Sequence, residues 1–145
     1  MPTRHATLRI GEVACRAGVS VETVRYYERV GLLEPAPRDT SSGYRMFSEQ
    51  ALRRLRFIRR TQDLGFSLEE IRDLLSLRAT PDATALDVRE RVQQKLGDVR
   101  RNISDLEQIA ASLERLTASC DGRGSVRECV ILDTLDLEGT AAPPA

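Results

Sequence analysis

The chain has 145 residues, with 22 Lys and Arg against 22 Asp and Glu, enough for one sizeable domain or a small domain with an extension. The zero net charge hides an asymmetry: residues 1–65 hold 12 arginines and 7 acids (net +5), and residues 66–145 hold 10 basic residues and 15 acids (net −5), so the front half suits nucleic acid. The single histidine, His5, leaves no nucleophile–base–orienter set and points away from an enzyme, and no apolar run approaches the roughly 20 residues that would span a membrane.

Residues 1–7 read as a mobile, polar lead-in, and His5 within them is a poor ligand candidate. In "IGEVACRAG", Ile10, Val13, Ala14 and Ala17 fall at helical spacing and Gly18 is a stop. Cys15 beside Ala14 reads as a small, partly buried residue. Ser20 is placed to cap "VETVRYYERV", which ends at Gly31. Two short helices joined by a tight glycine-containing turn make a helix-turn-helix pattern.

Pro35 and Pro37 then forbid a continuing helix. "DTSSG" is turn chemistry and "YRMF" is short and strand-like, which predicts a small hairpin wing with Tyr44 at its tip. Ser48 caps "EQALRRLRFIRRTQDL", with Leu52, Leu55, Ile58 and Leu64 on or near its buried face and Gly65 as its stop. "SLEE" is a capping box, Ser67 with Glu70, that opens a helix to about Leu77. All six aromatic residues (Tyr26, Tyr27, Tyr44, Phe47, Phe57 and Phe66) have occurred by this point, so the remainder cannot build a core around rings.

"RATPDAT" is a hinge, and Thr84 with Asp87 forms a second candidate capping box. Beyond it Val92, Leu96, Val99, Ile103, Leu106, Ala110 and Leu113 alternate spacings of 4 and 3, a heptad seam over about three heptads. Such a helix would be roughly 50 Å long at 1.5 Å per residue, too long to bury its seam on a small domain. Two copies are therefore expected to pair. "VILDTL" after Cys129 suggests a last helical turn or two, and "EGTAAPPA" reads as disordered.

The basic residues fit DNA. Arg25 lies in the second helix, the one expected in a major groove, and of Tyr26 and Tyr27 one can pack inward while the other offers a hydroxyl to phosphate. Arg38 and Arg45 flank the wing turn, and Arg53, Arg54, Arg56, Arg59 and Arg60 spread along the third helix. The candidate DNA-binding set is Ser20, Thr23, Arg25, Tyr26, Tyr27, Arg38, Tyr44, Arg45 and Arg54.

The stretches "IGEVA…GVS…TVRYYER", "GYRMF" and "LGFSLEEIRDLL" resemble the DNA-binding domain of MerR-type bacterial transcription regulators over residues 8–77. The resemblance continues through the long helix and cysteine loop to about Leu135. It implies a mainly α fold: a winged helix-turn-helix plus a long antiparallel coiled-coil dimerisation helix. The expected layout is a DNA-binding domain at 8–77, a hinge at 78–84, a dimerisation helix at 85–117, an effector loop with a terminal turn at 118–135, and a tail at 136–145. The resemblance also implies a cytoplasmic homodimer on promoter double-stranded DNA. There, effector binding bends and untwists the DNA so that RNA polymerase reaches both promoter elements.

Cys120 and Cys129, with eight residues between them, match the position of a cysteine pair in the metal-sensing branch of that family. Three cysteines without a leader-like segment favour a reducing compartment over a disulfide framework. Thiolates favour thiophilic ions: Cu(I), Ag(I), Hg(II), Zn(II), Cd(II) or Pb(II). Two thiolates suffice for a two-coordinate ion such as Cu(I), Ag(I) or Hg(II), whereas a zinc-like site needs more ligands. Sensors of divalent ions in that branch carry a third cysteine at the start of the long helix, where this chain has Ala85. The eight-residue loop resembles the divalent class; the missing third thiolate resembles the monovalent one. Asp121, Glu128 or a partner chain could add oxygen ligands. The alternative is a regulator of the same fold that senses oxidation, through a reversible Cys120–Cys129 disulfide, or a small molecule.

Overall fold

The computed structural model describes residues 8–138; the lead-in with His5, and residues 139–145 of the expected tail, lie outside the described residues. The elements are α1 (Ile10–Ala17), α2 (Val21–Arg29), α3 (Glu49–Asp63), α4 (Leu68–Ala79), α5 (Ala85–Ala118), a 3-10 turn (Val126–Glu128) and α6 (Val130–Glu138). The chain divides into two compact units inside α5, one reaching Val92 and the other starting at Gln93.

Local chemistry sets the helix starts. The Ser20 hydroxyl accepts from the Thr23 amide at 3.0 Å, and the Ser48 hydroxyl from the Ala51 amide at 3.1 Å. Ser67 and Glu70 close a full capping box: Glu70 N donates to Ser67 Oγ at 3.2 Å and Ser67 N to Glu70 Oε2 at 2.7 Å. Thr84 and Asp87 repeat it ahead of α5, with Thr84 N donating to Asp87 Oδ2 at 2.7 Å. That backbone bond, followed by the Thr84 hydroxyl, holds the Asp87 carboxyl below the ordinary carboxylate range.

α1 ends in a Schellman arrangement, with Val19 N on Ala14 O and Gly18 N on Cys15 O. Gly18 has φ +70°, and a Cβ there would meet the Arg59 guanidinium. The turn between the first two helices therefore favours glycine for its backbone angle, while the Arg59 guanidinium, at the far end of a flexible side chain, can move aside for a methyl. Gly18→Ala is expected to cost about 1–2 kcal/mol of stability, read as a lower urea midpoint with an unchanged slope.

In the first unit α1 packs on α2 and α3, and α3 packs on α4. Val13, Val24, Leu32, Phe47, Leu52, Leu55, Ile58 and Ile71 are its largest fully buried side chains. The wing is a hairpin held by bonds from Asp39 N to Tyr44 O (2.8 Å) and Met46 N to Pro37 O (3.0 Å). Its arms make only isolated bridges, Arg38 with Arg45 and Leu8 with Phe47, so "YRMF" is too short to become a regular strand. The turn spans Asp39–Gly43, which puts Tyr44 on the return arm instead of the tip.

Two apolar assignments are corrected. Leu64 caps the end of α3 and is 67% exposed instead of joining the buried face. Cys15 is exposed, because the buried face of α1 runs through Val13, Ala14 and Ala17 and leaves position 15 outside it.

The second unit has no buried residue among those described. α5 runs 34 residues, and all seven seam positions from Val92 to Leu113 are exposed. Ile109, which the heptad reading passes over, is 55% exposed beside them. The last helix is longer than a turn or two: α6 continues through Asp136 to Glu138, into the segment expected to be disordered. Its Val130, Leu132, Leu135 and Leu137 are also exposed. Among the described residues no helix is long and apolar enough to cross a membrane.

Candidate nucleic-acid interface and thiol loop

The outer face of α2 carries polar groups while Val24 and Tyr27, three residues apart, face the core. Ser20 and Arg25 are exposed and Thr23 is half-buried; the Ser20 and Thr23 hydroxyls lie 2.7 Å apart. Tyr26 is 40% exposed with the Arg29 guanidinium 5.6 Å from its ring centre. Tyr27 is the tyrosine that packs inward. It is 3% exposed and its hydroxyl donates to Gln62 Oε1, so its place in the DNA-binding set is withdrawn. Burial, only partly offset by that hydrogen bond, raises the Tyr27 hydroxyl above the ordinary tyrosine pKa.

The wing orders itself around Asp39, whose Oδ2 accepts from Ser41 Oγ (2.7 Å), Ser42 N (3.1 Å) and Ser42 Oγ (2.8 Å). These bonds, the Ser41 hydroxyl foremost, pull the Asp39 pKa down to about 2. Arg38 Nη1 donates to Gly43 O at 3.2 Å, which leaves its other guanidinium donors exposed at the turn. Arg45 pairs with Glu28 of α2 at 3.0 Å. The Tyr44 ring lies under the Arg9 guanidinium at 4.5 Å, which brings Arg9, absent from the sequence-based set, to the same face.

Several arginines of α3 and α4 have an intramolecular task that sequence reasoning missed. Arg54 Nε donates to Leu32 O at 2.6 Å and Arg72 Nη2 to Val30 O at 2.5 Å, both at the exit of α2. Arg56 Nε and Arg59 Nη1 reach Arg16 O and Ala17 O, each at 3.4 Å, at the end of α1. The last carbonyls of a helix lack partners within it and carry partial negative charge, so guanidinium donors satisfy them well. Arg54 is half-buried by this contact and is in the first place a brace for the recognition helix. Arg53 and Arg60 stay exposed.

The two thiols occupy helix ends. Cys120 follows the end of α5, its amide on Thr117 O at 3.3 Å. Gly122, at φ +77°, turns its own amide onto the Cys120 sulfur at 3.3 Å. Asp121 Oδ1 accepts the Arg123 amide at 3.0 Å. The 3-10 turn then leads into Cys129, whose carbonyl accepts the Asp133 amide at 3.2 Å as the first bond of α6. Both thiols are free and half-buried. Among the described residues no group of three His, Cys, Asp or Glu side chains is placed to hold a metal ion.

Two short helices across a tight turn, a hairpin wing beside them and a braced second helix pair define a winged helix-turn-helix DNA-binding fold. Residues 8–77 match the pattern described as "MerR HTH family regulatory protein", and residues 52–116 match "MerR, DNA binding". The chain belongs to the MerR family of transcription regulators, which is not an enzymatic class. It is 44% identical to the mercuric resistance operon regulatory protein of Bacillus cereus, over 88% of this chain and 96% of that protein. It is 42% identical to the HTH-type transcriptional regulator ZntR of Escherichia coli K12, over 88% and 92%. Among solved structures it resembles the regulator PbrR691 of Ralstonia metallidurans CH34 in complex with lead(II): TM-score 0.78, 40% identity, covering 89% of this chain and 99% of that one. It also resembles the regulator MerR of Bacillus megaterium MB1 in complex with mercury(II), with TM-score 0.69 and 42% identity over 89% and 99%.

Proposed function

We propose that the chain is a homodimeric, metal-responsive regulator that distorts promoter DNA for RNA polymerase, with Cys120 and Cys129 as its effector ligands. The observation that carries this reading is the pair of free, half-buried thiols bracketing Asp121–Glu128 between the end of α5 and the start of α6. Relatives in complex with lead(II) and mercury(II) support a thiophilic effector. A chain with two loop thiols, no group of three metal-ligating side chains among the described residues, and Ala85 in place of a further thiol favours a two-coordinate ion, Hg(II), Cu(I) or Ag(I), over Zn(II), Cd(II) or Pb(II). Bound between the two sulfurs, such an ion would tie the end of α5 to the start of α6. The Gly122 amide orients the Cys120 sulfur, and Asp121 holds the loop through Arg123.

On the DNA face, Ser20, Thr23, Arg25, Tyr26, Arg38, Tyr44 and Arg45 form the proposed contact set. Phosphate contacts position a protein, and base-edge contacts specify sequence. Arg25→Ala is therefore expected to lose about 1–3 kcal/mol of specific binding while non-specific binding changes less. Arg38→Ala is expected to weaken binding to every sequence and to reduce the salt slope by about 1. Salt-titrated binding to a selected and a scrambled duplex separates the two roles, and equal loss of specificity in both variants contradicts them. The effector assignment is tested by titrating the reduced protein with Cu(I), Hg(II), Zn(II), Cd(II) and Pb(II), following thiolate-to-metal absorption alongside promoter transcription.

A further inference from the structure

The wing and the recognition helix are joined by a buried carboxylate. Glu28 lies in the last turn of α2 with its side chain only 9% exposed. Its Oε2 accepts from Arg45 Nη1 at 3.0 Å, across 17 residues of chain. Its Oε1 is buried and has no hydrogen-bond partner among the described residues. The pair stands at an open concavity of about 1020 Å³ whose wall also carries Arg9, Arg25, Arg29 and Tyr44. Glu12, the other acid in that wall, pairs with Arg16 at 3.1 Å.

A carboxylate taken out of water with one oxygen idle is an expensive way to stabilise a fold, and an apolar residue of similar volume would serve at least as well. What the pair adds is geometry. An Arg–carboxylate contact fixes the plane of a guanidinium, and Arg45 is otherwise a long, half-exposed side chain on a hairpin without regular strand pairing. The carboxylate also places a negative charge among arginines that face solvent, which subtracts from sequence-independent attraction to DNA.

We propose that Glu28 is a positioning residue for DNA recognition: it fixes the Arg45 guanidinium, and with it the wing, at a set place relative to Arg25, so that the concavity offers its arginines to the duplex in one arrangement. This rests on the DNA-binding reading of the fold. Glu28 acts through Arg45 and touches no base.

The test uses the full-length protein and two duplexes, one selected from a random-sequence library on the wild-type protein and a scrambled one of equal length. Glu28→Gln is expected to lower the ratio of specific to non-specific affinity about tenfold while non-specific affinity holds or rises, with dimerisation and melting temperature unchanged. Glu28→Gln combined with Arg45→Gln is expected to show the same ratio as Arg45→Gln alone, because the first residue works through the second. Glu28→Asp keeps the charge with a shorter reach, so it is expected to fall between wild type and Glu28→Gln; it carries the test if Glu28→Gln does not fold. An unchanged ratio in the folded Glu28 variants, a parallel loss of both affinities, or losses that multiply in the double variant each overturn the proposal. If the wild-type protein selects no duplex, the DNA-binding reading itself fails, and that outcome is distinct from the others.

Discussion

Replacing Leu96, Val99 and Ile103 together with glutamine is expected to leave folded monomers that no longer bind promoter DNA. These residues form one exposed stripe of α5, at 46%, 37% and 50% exposure, and none of the described residues of the second unit buries them. A helix of 34 residues that keeps a 4–3 apolar spacing is suited to pairing with a second such helix, as in the proposed homodimer. Burying one apolar side chain is worth about 1.5–3 kcal/mol, so removing three from each of two chains forfeits on the order of 10 kcal/mol. Nanomolar association is worth about 12 kcal/mol, so the loss leaves almost no dimer at working concentrations. The DNA-binding unit keeps its own core, from Leu8 to Leu75, and is expected to keep its helicity and its fold. Analytical ultracentrifugation with circular dichroism checks both halves of the statement. A wild-type protein that is a folded monomer at micromolar concentration sinks the dimer and the DNA-distortion mechanism with it.

What was legible in the sequence was local. Ser20, Ser48, Ser67 and Thr84 announce their helices because a cap needs only a side chain and an amide three residues away. Gly18 announces a helix end for the same reason. Of Tyr26 and Tyr27, the sequence says that one packs inward; which one depends on Gln62, 35 residues from Tyr27. The arginines of α3 show the same boundary. Their number and sign suggest DNA, but the carbonyls that hold Arg54, Arg56 and Arg59 lie 22 to 42 residues away, at or just beyond the ends of helices whose packing no local pattern reports. Glu28 was invisible for the same reason, since among the acids of a basic half nothing but burial distinguishes it. In the thiol loop, the cysteine spacing was legible, but the Gly122 amide on Cys120 and the full length of α6 were not.

Cys120→Ser and Cys129→Ser are each expected to abolish the transcriptional response to metal while dimerisation and DNA binding stay at wild-type levels. Neither residue lies on the seam or in the first unit, and both are only half-buried, so an oxygen in place of the sulfur disturbs little packing. A site built from two thiolates loses its chelate with either one. The hydroxyl that replaces it is a hard, neutral donor to which Hg(II), Cu(I) and Ag(I) have little affinity. Cys15→Ser is expected to leave the response intact, because Cys15 sits exposed on α1. Gly122→Ala is expected to weaken it without abolishing it, since φ +77° is strained for alanine and the amide that orients Cys120 shifts. Metal affinity is expected to fall as pH is lowered, because each thiol must lose its proton to bind. Ala85→Cys adds the thiolate this chain lacks, and the ratio of Zn(II), Cd(II) or Pb(II) affinity to Cu(I) affinity is expected to rise. Competition titrations with the same absorption readout measure each of these shifts. If the reduced double variant, with both cysteines changed to serine, still activates transcription with metal, the sensing site lies elsewhere. If wild type responds to oxidant in metal-free buffer and to none of the five ions, the thiols act as a disulfide switch.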